Sequence, residues 1–121
     1  MIGNLGELIL YVEDMSAQVV FYRDILGLRV VEPTDTDQFE EAYWVLFDAG
    51  GCKLALHGGG KRRFGEDAPK FVFYVEDIEA ARSHLVSAGI QVGDTRSPAQ
   101  GVYVVDAVDP EGNLFSLEQR Q

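Results

Sequence analysis

The chain has 121 residues, 46% of them hydrophobic and 25% charged, with a formal net charge of −10. That length predicts one domain with a core of its own, and the negative charge argues against nucleic acid and anionic membranes as partners. Cys52 is alone, the apolar runs are too short to span a bilayer, and no charged-then-apolar leader is read after Met1, so a cytoplasmic protein without disulfides is expected.

Leu5 to Val12 alternates like a strand, with Leu8, Leu10 and Val12 on one face and Glu7, Ile9 and Tyr11 on the other. Asp14 suits a helix N-cap, and Met15, Val19, Tyr22 and Leu26 then fall on one helical stripe that Gly27 ends. Leu28 to Val31 is predicted as a strand, and Pro33 to Asp37 as a turn region. Ala42 to Asp48 and Cys52 to His57 read as a hairpin across Ala49-Gly50-Gly51. The stretch from Gly58 to Pro69 is a joint, and it carries the one basic cluster, Lys61-Arg62-Arg63, expected to be a solvated loop. Lys70 to Val75 is the next strand. Asp77 caps a second helix with Ile78, Ala81, Leu85 and Ala88 on its stripe, ending at Gly89. Ile90 to Val92 is read as a short strand, followed by a turn region through Pro98 and Gly101. Val102 to Val108 and Asn113 to Glu118 then pair across Asp109-Pro110-Glu111-Gly112.

This order is a repeat. Tyr11-Val12-Glu13-Asp14-Met15 returns 63 positions on as Tyr74-Val75-Glu76-Asp77-Ile78. The segment from Asp48 to His57 returns, more weakly, 61 positions on as Asp109 to Glu118. Two echoes in one order predict two copies of a β-α-β-β-β unit, at 4–58 and 70–119. In both copies one strand face is apolar throughout and suits a helix. The other carries Glu7, Tyr11, Ala55, His57, Lys70, Tyr74, Ser116 and Glu118 among apolar residues, a mixture expected of a ligand-facing wall. Either Tyr43 or Trp44 is expected to join that face, with parity leaving the choice open.

Three motifs carry a resemblance over nearly the whole chain: Glu7-Leu8-Ile9-Leu10-Tyr11-Val12-Glu13-Asp14, then Phe21-Tyr22 with Leu26-Gly27-Leu28, and Asp109-Pro110-Glu111-Gly112-Asn113. The sequence resembles the vicinal oxygen chelate superfamily, which includes glyoxalase I, extradiol dioxygenases, fosfomycin-resistance enzymes and bleomycin-resistance proteins. The resemblance implies an α+β fold in which two tandem β-α-β-β-β units form a curved, mixed β-sheet cup with helices on the outer face. It also implies a homodimer. Metal-dependent members hold an ion at four strand positions, which correspond here to Glu7, Lys70, Ala55 and Ser116. Only Glu7 is a credible ligand. Alanine has no lone pair, and a serine hydroxyl is a poor ligand for a transition ion. A charged lysine repels a divalent cation about 4 Å away by several kcal/mol, even at an effective dielectric near 20. No metal or other cofactor is therefore expected, and Lys70 is read as standing in for the ion beside the Glu7 carboxylate. A shifted metal site through Glu7, His57 and Glu118 is a weaker option.

Two classes of function remain open. The first is a small-molecule binding protein of sequestration or resistance type with a degenerate, metal-free site. Its ligand is expected to be planar or cationic and to stack on Tyr11, Trp44, Tyr74 or Tyr103. The alternative is a glyoxalase-like lyase, isomerase or other enzyme in which Glu7, Lys70 and His57 move protons, or the shifted site holds an ion.

Overall fold

A computed structural model describes residues 3–59 and 69–121. The chain divides into two compact units, Met1–Phe64 and Gly65–Gln121. Each is a four-stranded mixed sheet with one helical segment, so the α+β class and the paired β-α-β-β-β order are both present.

In the first unit β1 (Glu7–Val12) lies parallel to β4 (Lys53–Gly58). β4 pairs antiparallel with β3 (Trp44–Asp48), and β3 with β2 (Arg29–Glu32), which gives the order β1-β4-β3-β2. The second unit repeats this as β5-β8-β7-β6, with β5 (Phe71–Tyr74), β6 (Arg96–Ala99), β7 (Val102–Val108) and β8 (Leu114–Arg120). A parallel pair needs a crossover, and in each unit the helix supplies part of it.

The helices start where their caps predict. The Asp14 carboxylate accepts the Ala17 N–H at 3.0 Å ahead of α1 (Met15–Val19), and Asp77 accepts the Ala80 N–H at 3.1 Å ahead of α2 (Ile78–Ser87). α1 is not an ordinary helix to its end. It passes into a π-helical turn over Val20–Ile25, marked by the Leu26 N–H bonding to the Phe21 carbonyl at 2.9 Å. The extra residue turns both Phe21 and Tyr22 inward, and each is fully buried. α1 packs on β4, and α2 on β7 and β8.

The core face of each sheet follows the alternation. Leu10, Val12, Val45, Phe47, Leu54 and Leu56 are buried in the first unit, and Val105, Ala107, Phe115 and Leu117 in the second. No helix among the described residues is long and apolar enough to cross a membrane.

Two expectations shift. Ile90 to Val92 is not a strand, since only Val92 makes an isolated bridge, to Ala107. The second strand of that unit is Arg96–Ala99, inside the stretch read as a turn. Gly58 closes β4 rather than opening the joint. Most of that joint, with Lys61-Arg62-Arg63, lies outside the described residues.

Candidate ligand face

In a sheet, residues in register share a face, so the strand pairing assigns each candidate to a row. In the first unit the mixed face has three rows. Glu7, Lys53, Asp48 and Arg29 form a charged row at one end. Ile9, Ala55 and Leu46 form the middle row, and Tyr11, His57 and Trp44 an aromatic one. The choice left open by parity is thereby made: Trp44 stands beside His57 on this face.

His57 is the centre of the aromatic row. Its ring lies 5.1 Å from Tyr11, 5.1 Å from Tyr43 and 6.0 Å from Trp44, centroid to centroid. Its Nδ1 sits 2.7 Å from the Gly58 carbonyl oxygen. A carbonyl oxygen only accepts, so Nδ1 carries the hydrogen and Nε2 is the open ring nitrogen. Trp44 is held from the other side by a 3.3 Å hydrogen bond from its indole N–H to Glu32. Tyr43, outside the strand, adds a third aromatic wall. The Glu7 carboxylate is exposed and makes no hydrogen bond or ion pair among the described residues.

The second unit places ions where the first places aliphatic groups. Asp106 registers with Ser116, as Leu46 does with Ala55. The Asp106 carboxylate is a hub. It accepts from Ser116 Oγ at 2.5 Å, from Lys70 Nζ at 3.2 Å and from Arg96 Nη2 at 3.1 and 3.3 Å. Lys70 immediately precedes β5 and reaches Asp106 on β7 across the intervening β8, while Arg96 arrives from β6 on the far side. Burial alone would raise the Asp106 carboxyl's pKa. The hydrogen bonds from Ser116, Lys70 and Arg96, with the Lys70 charge, outweigh burial and hold it below the ordinary carboxylate value.

Glu118 registers with Val104 and Tyr74, and its carboxylate is paired with Arg120 Nε at 2.5 Å. Arg120 in turn lies 5.6 Å over the Tyr74 ring. Tyr103 registers with Gln119, whose side chain accepts the Ile78 N–H at the start of α2. That pair is on the helix face, so Tyr103 is not in the row of Ser116 or Glu118.

Within its own sheet Lys70 pairs with Asp106, a partner the sequence does not point to. The shifted metal site is disfavoured by spacing. Glu7 and His57 stand four residues apart along the paired strands β1 and β4, roughly 13 Å at the usual rise, and Glu118 is tied to Arg120. Of the four positions at which relatives hold an ion, Ala55 offers no donor, and Ser116 and Lys70 both donate to Asp106. The donor set therefore does not fit a divalent cation. Among the described residues, no three His, Cys, Asp or Glu side chains converge.

Two residues of this face, Asp106 and Arg96, were absent from the candidates. Asp106 had a signal: it is the one charged residue in the apolar run Val102 to Val108. Arg96 had none, because its strand was not recognised.

Comparison with known proteins fits this architecture. The family model described as the Glyoxalase/Bleomycin resistance protein/Dioxygenase superfamily matches residues 4–117. Among curated proteins none matches the sequence significantly. Solved structures share the fold at low identity. Lactoylglutathione lyase from Agrobacterium tumefaciens is 24% identical, with a TM-score of 0.73 over 95% of this chain and 92% of that one. The fosfomycin resistance protein FosX from Mesorhizobium loti is 16% identical, with a TM-score of 0.76 over 100% and 95%. A virulence protein from Salmonella typhimurium is 23% identical, with a TM-score of 0.72 over 100% and 99%.

Proposed function

The chain belongs to the glyoxalase/bleomycin resistance protein/dioxygenase superfamily, and we propose that within it this protein binds a small molecule at a site that works without a divalent metal. A sequestration or resistance role follows from that reading. The observation that carries it is the engagement of Lys70 and Ser116 with Asp106 at 3.2 and 2.5 Å. An ion placed there would meet an ammonium at contact range and a hydroxyl already donating to a carboxylate. The Tyr11, His57 and Trp44 row supplies flat, half-apolar surface for a planar ligand, with Tyr43 beside it. The homodimer implied by the resemblance is retained in this proposal.

Elemental analysis tests the metal-free reading. Protein expressed with Zn²⁺, Ni²⁺, Mn²⁺ and Fe²⁺ available and purified without chelator should carry far less than one ion per chain. Added metals should leave its melting temperature unchanged. Stoichiometric metal, or a saturable metal-dependent rise, would overturn the reading.

One observation favours an enzyme as the second reading. The Gly58 carbonyl fixes the tautomer of His57 and leaves Nε2 as a base within an aromatic row. On that reading His57→Gln abolishes turnover of a carbonyl substrate while leaving the melting temperature near wild type. Full activity in that variant would exclude it.

A further inference from the structure

We propose that the Lys70–Asp106–Arg96 cluster on the second sheet is a receptor for an oxyanion group — a carboxylate, phosphonate or phosphate — carried by the ligand. This deepens the function proposed above and rests on it, because it gives a ligand chemistry to the mixed face of the second unit's sheet.

The first argument is charge. Two cations meet one carboxylate, which leaves a net positive charge on this face of a chain whose formal charge is −10. Among the described residues, the pairs Arg23–Asp24, Arg29–Asp48, Arg82–Asp94 and Arg120–Glu118 each bring one cation into contact with one carboxylate.

The second argument is unused donors. Among the described residues Arg96 makes both of its contacts through Nη2, and none of them takes the N–H groups of Nε and Nη1. Among the same residues Lys70 uses one of its three. Their side chains are 49% and 34% exposed, within reach of a solute. A planar guanidinium edge with an ammonium near it suits an oxyanion.

The third argument is the repeat. The first unit builds the same four-stranded sheet with Leu46 and Ala55 in place of Asp106 and Ser116, and Glu7 at the position of Lys70. The fold therefore does not require the cluster. Half-exposed ion pairs also contribute little to stability, so folding alone gives weak reason to gather three charges on one sheet.

Asp106 orders the two cations and at the same time competes with the incoming anion. This yields a test with opposite signs. Inorganic phosphate, methylphosphonate and acetate are titrated at constant ionic strength into ¹⁵N-labelled, metal-free protein and followed by amide chemical shifts. Saturable shifts are expected at Lys70, Arg96, Asp106 and Ser116. Arg96→Gln should weaken them about tenfold. Asp106→Asn should strengthen them about fivefold, the effect of removing one unit charge about 4 Å away in a water-like dielectric. Response to acetate alone assigns a carboxylate, and response to the phosphorus oxyanions alone assigns a phosphoryl or phosphonyl group. Shifts that do not saturate, that titrate unchanged in Arg96→Gln, or that weaken in Asp106→Asn overturn the proposal. Should Asp106→Asn not fold, Arg96→Gln on the exposed edge strand decides alone. Stoichiometric metal together with phosphate binding would sink the metal-free reading and leave this one standing.

Discussion

Gly59 shows how one backbone position governs the aromatic row. Its φ is +79°, a conformation that costs a residue with a Cβ about 1 kcal/mol or more. A Cβ there would also lie 2.8 Å from Tyr43 Cζ and 2.9 Å from Cε2, so the ring must swing away. Tyr43 is exposed and free to swing, but it then leaves its edge contact with His57. Gly59→Ala should therefore cost about 2 kcal/mol in the wild-type chain and about 1 kcal/mol in a Tyr43→Ala background. Urea denaturation of the four-variant cycle measures the difference. An equal loss in both backgrounds would mean that Tyr43 does not lie over Gly59 in solution.

Each repeat unit closes its last hairpin with an aspartate that binds the turn's own backbone, but the two turns differ in burial. Asp109 is buried and accepts from the N–H groups of Glu111 and Asn113 at 2.9 Å each, and from Asn113 Nδ2 at 2.7 Å. Asp48 accepts the Gly50 N–H at 2.9 Å and pairs with Arg29, with its side chain 43% exposed. Water replaces the second set of bonds and not the first. Asp109→Ala is expected to cost about 3 kcal/mol and Asp48→Ala far less. Chemical denaturation of both variants checks this, and similar losses would show that the two turns are equally wet. This element was legible in the sequence because its residues are local. So were the strands whose alternation is apolar, the two capped helices and the repeat itself. β6 was not legible: Arg96-Ser97-Pro98-Ala99 has no apolar alternation, is exposed along its length and contains a proline, which is tolerated there because β6 is an edge. The π-turn was hidden for a different reason. Spacings of three and four describe Met15, Val19, Tyr22 and Leu26 well enough, and only the burial of adjacent Phe21 and Tyr22 reveals the extra residue. On the mixed strand faces the repeat pointed to Ala55, Ser116, Lys70 and His57. It did not locate the partner of Lys70, because Asp106 has Leu46 as its counterpart and no echo points to it.

For the molecule as a whole, charge sets the response to pH. A formal charge of −10 is self-repelling, and protonation of carboxylates from pH 7 towards pH 5 relieves it. Specific pairs act in the opposite sense at lower pH. The Asp24 carboxyl is lowered by the Arg23 hydrogen bond, and that of Asp48 by the Gly50 N–H and then Arg29. The Asp106 carboxyl is lowered by Ser116, Lys70 and Arg96 against the cost of burial. A carboxyl whose folded-state pKa lies below its unfolded value of about 3.9 contributes stability that is present above that value. The contribution is lost as pH falls through the folded-state value. Stability should thus hold or rise from pH 7 to pH 5 and fall below about pH 4. Asp106→Asn removes one of these titrations, so its stability deficit relative to wild type should be larger at pH 5 than at pH 2. Urea midpoints for both proteins at pH 5, 3 and 2 measure it. A deficit that is constant across that range would show that Asp106 is not held charged by Lys70, Arg96 and Ser116, and the receptor proposed on the second sheet would lose its ordering group.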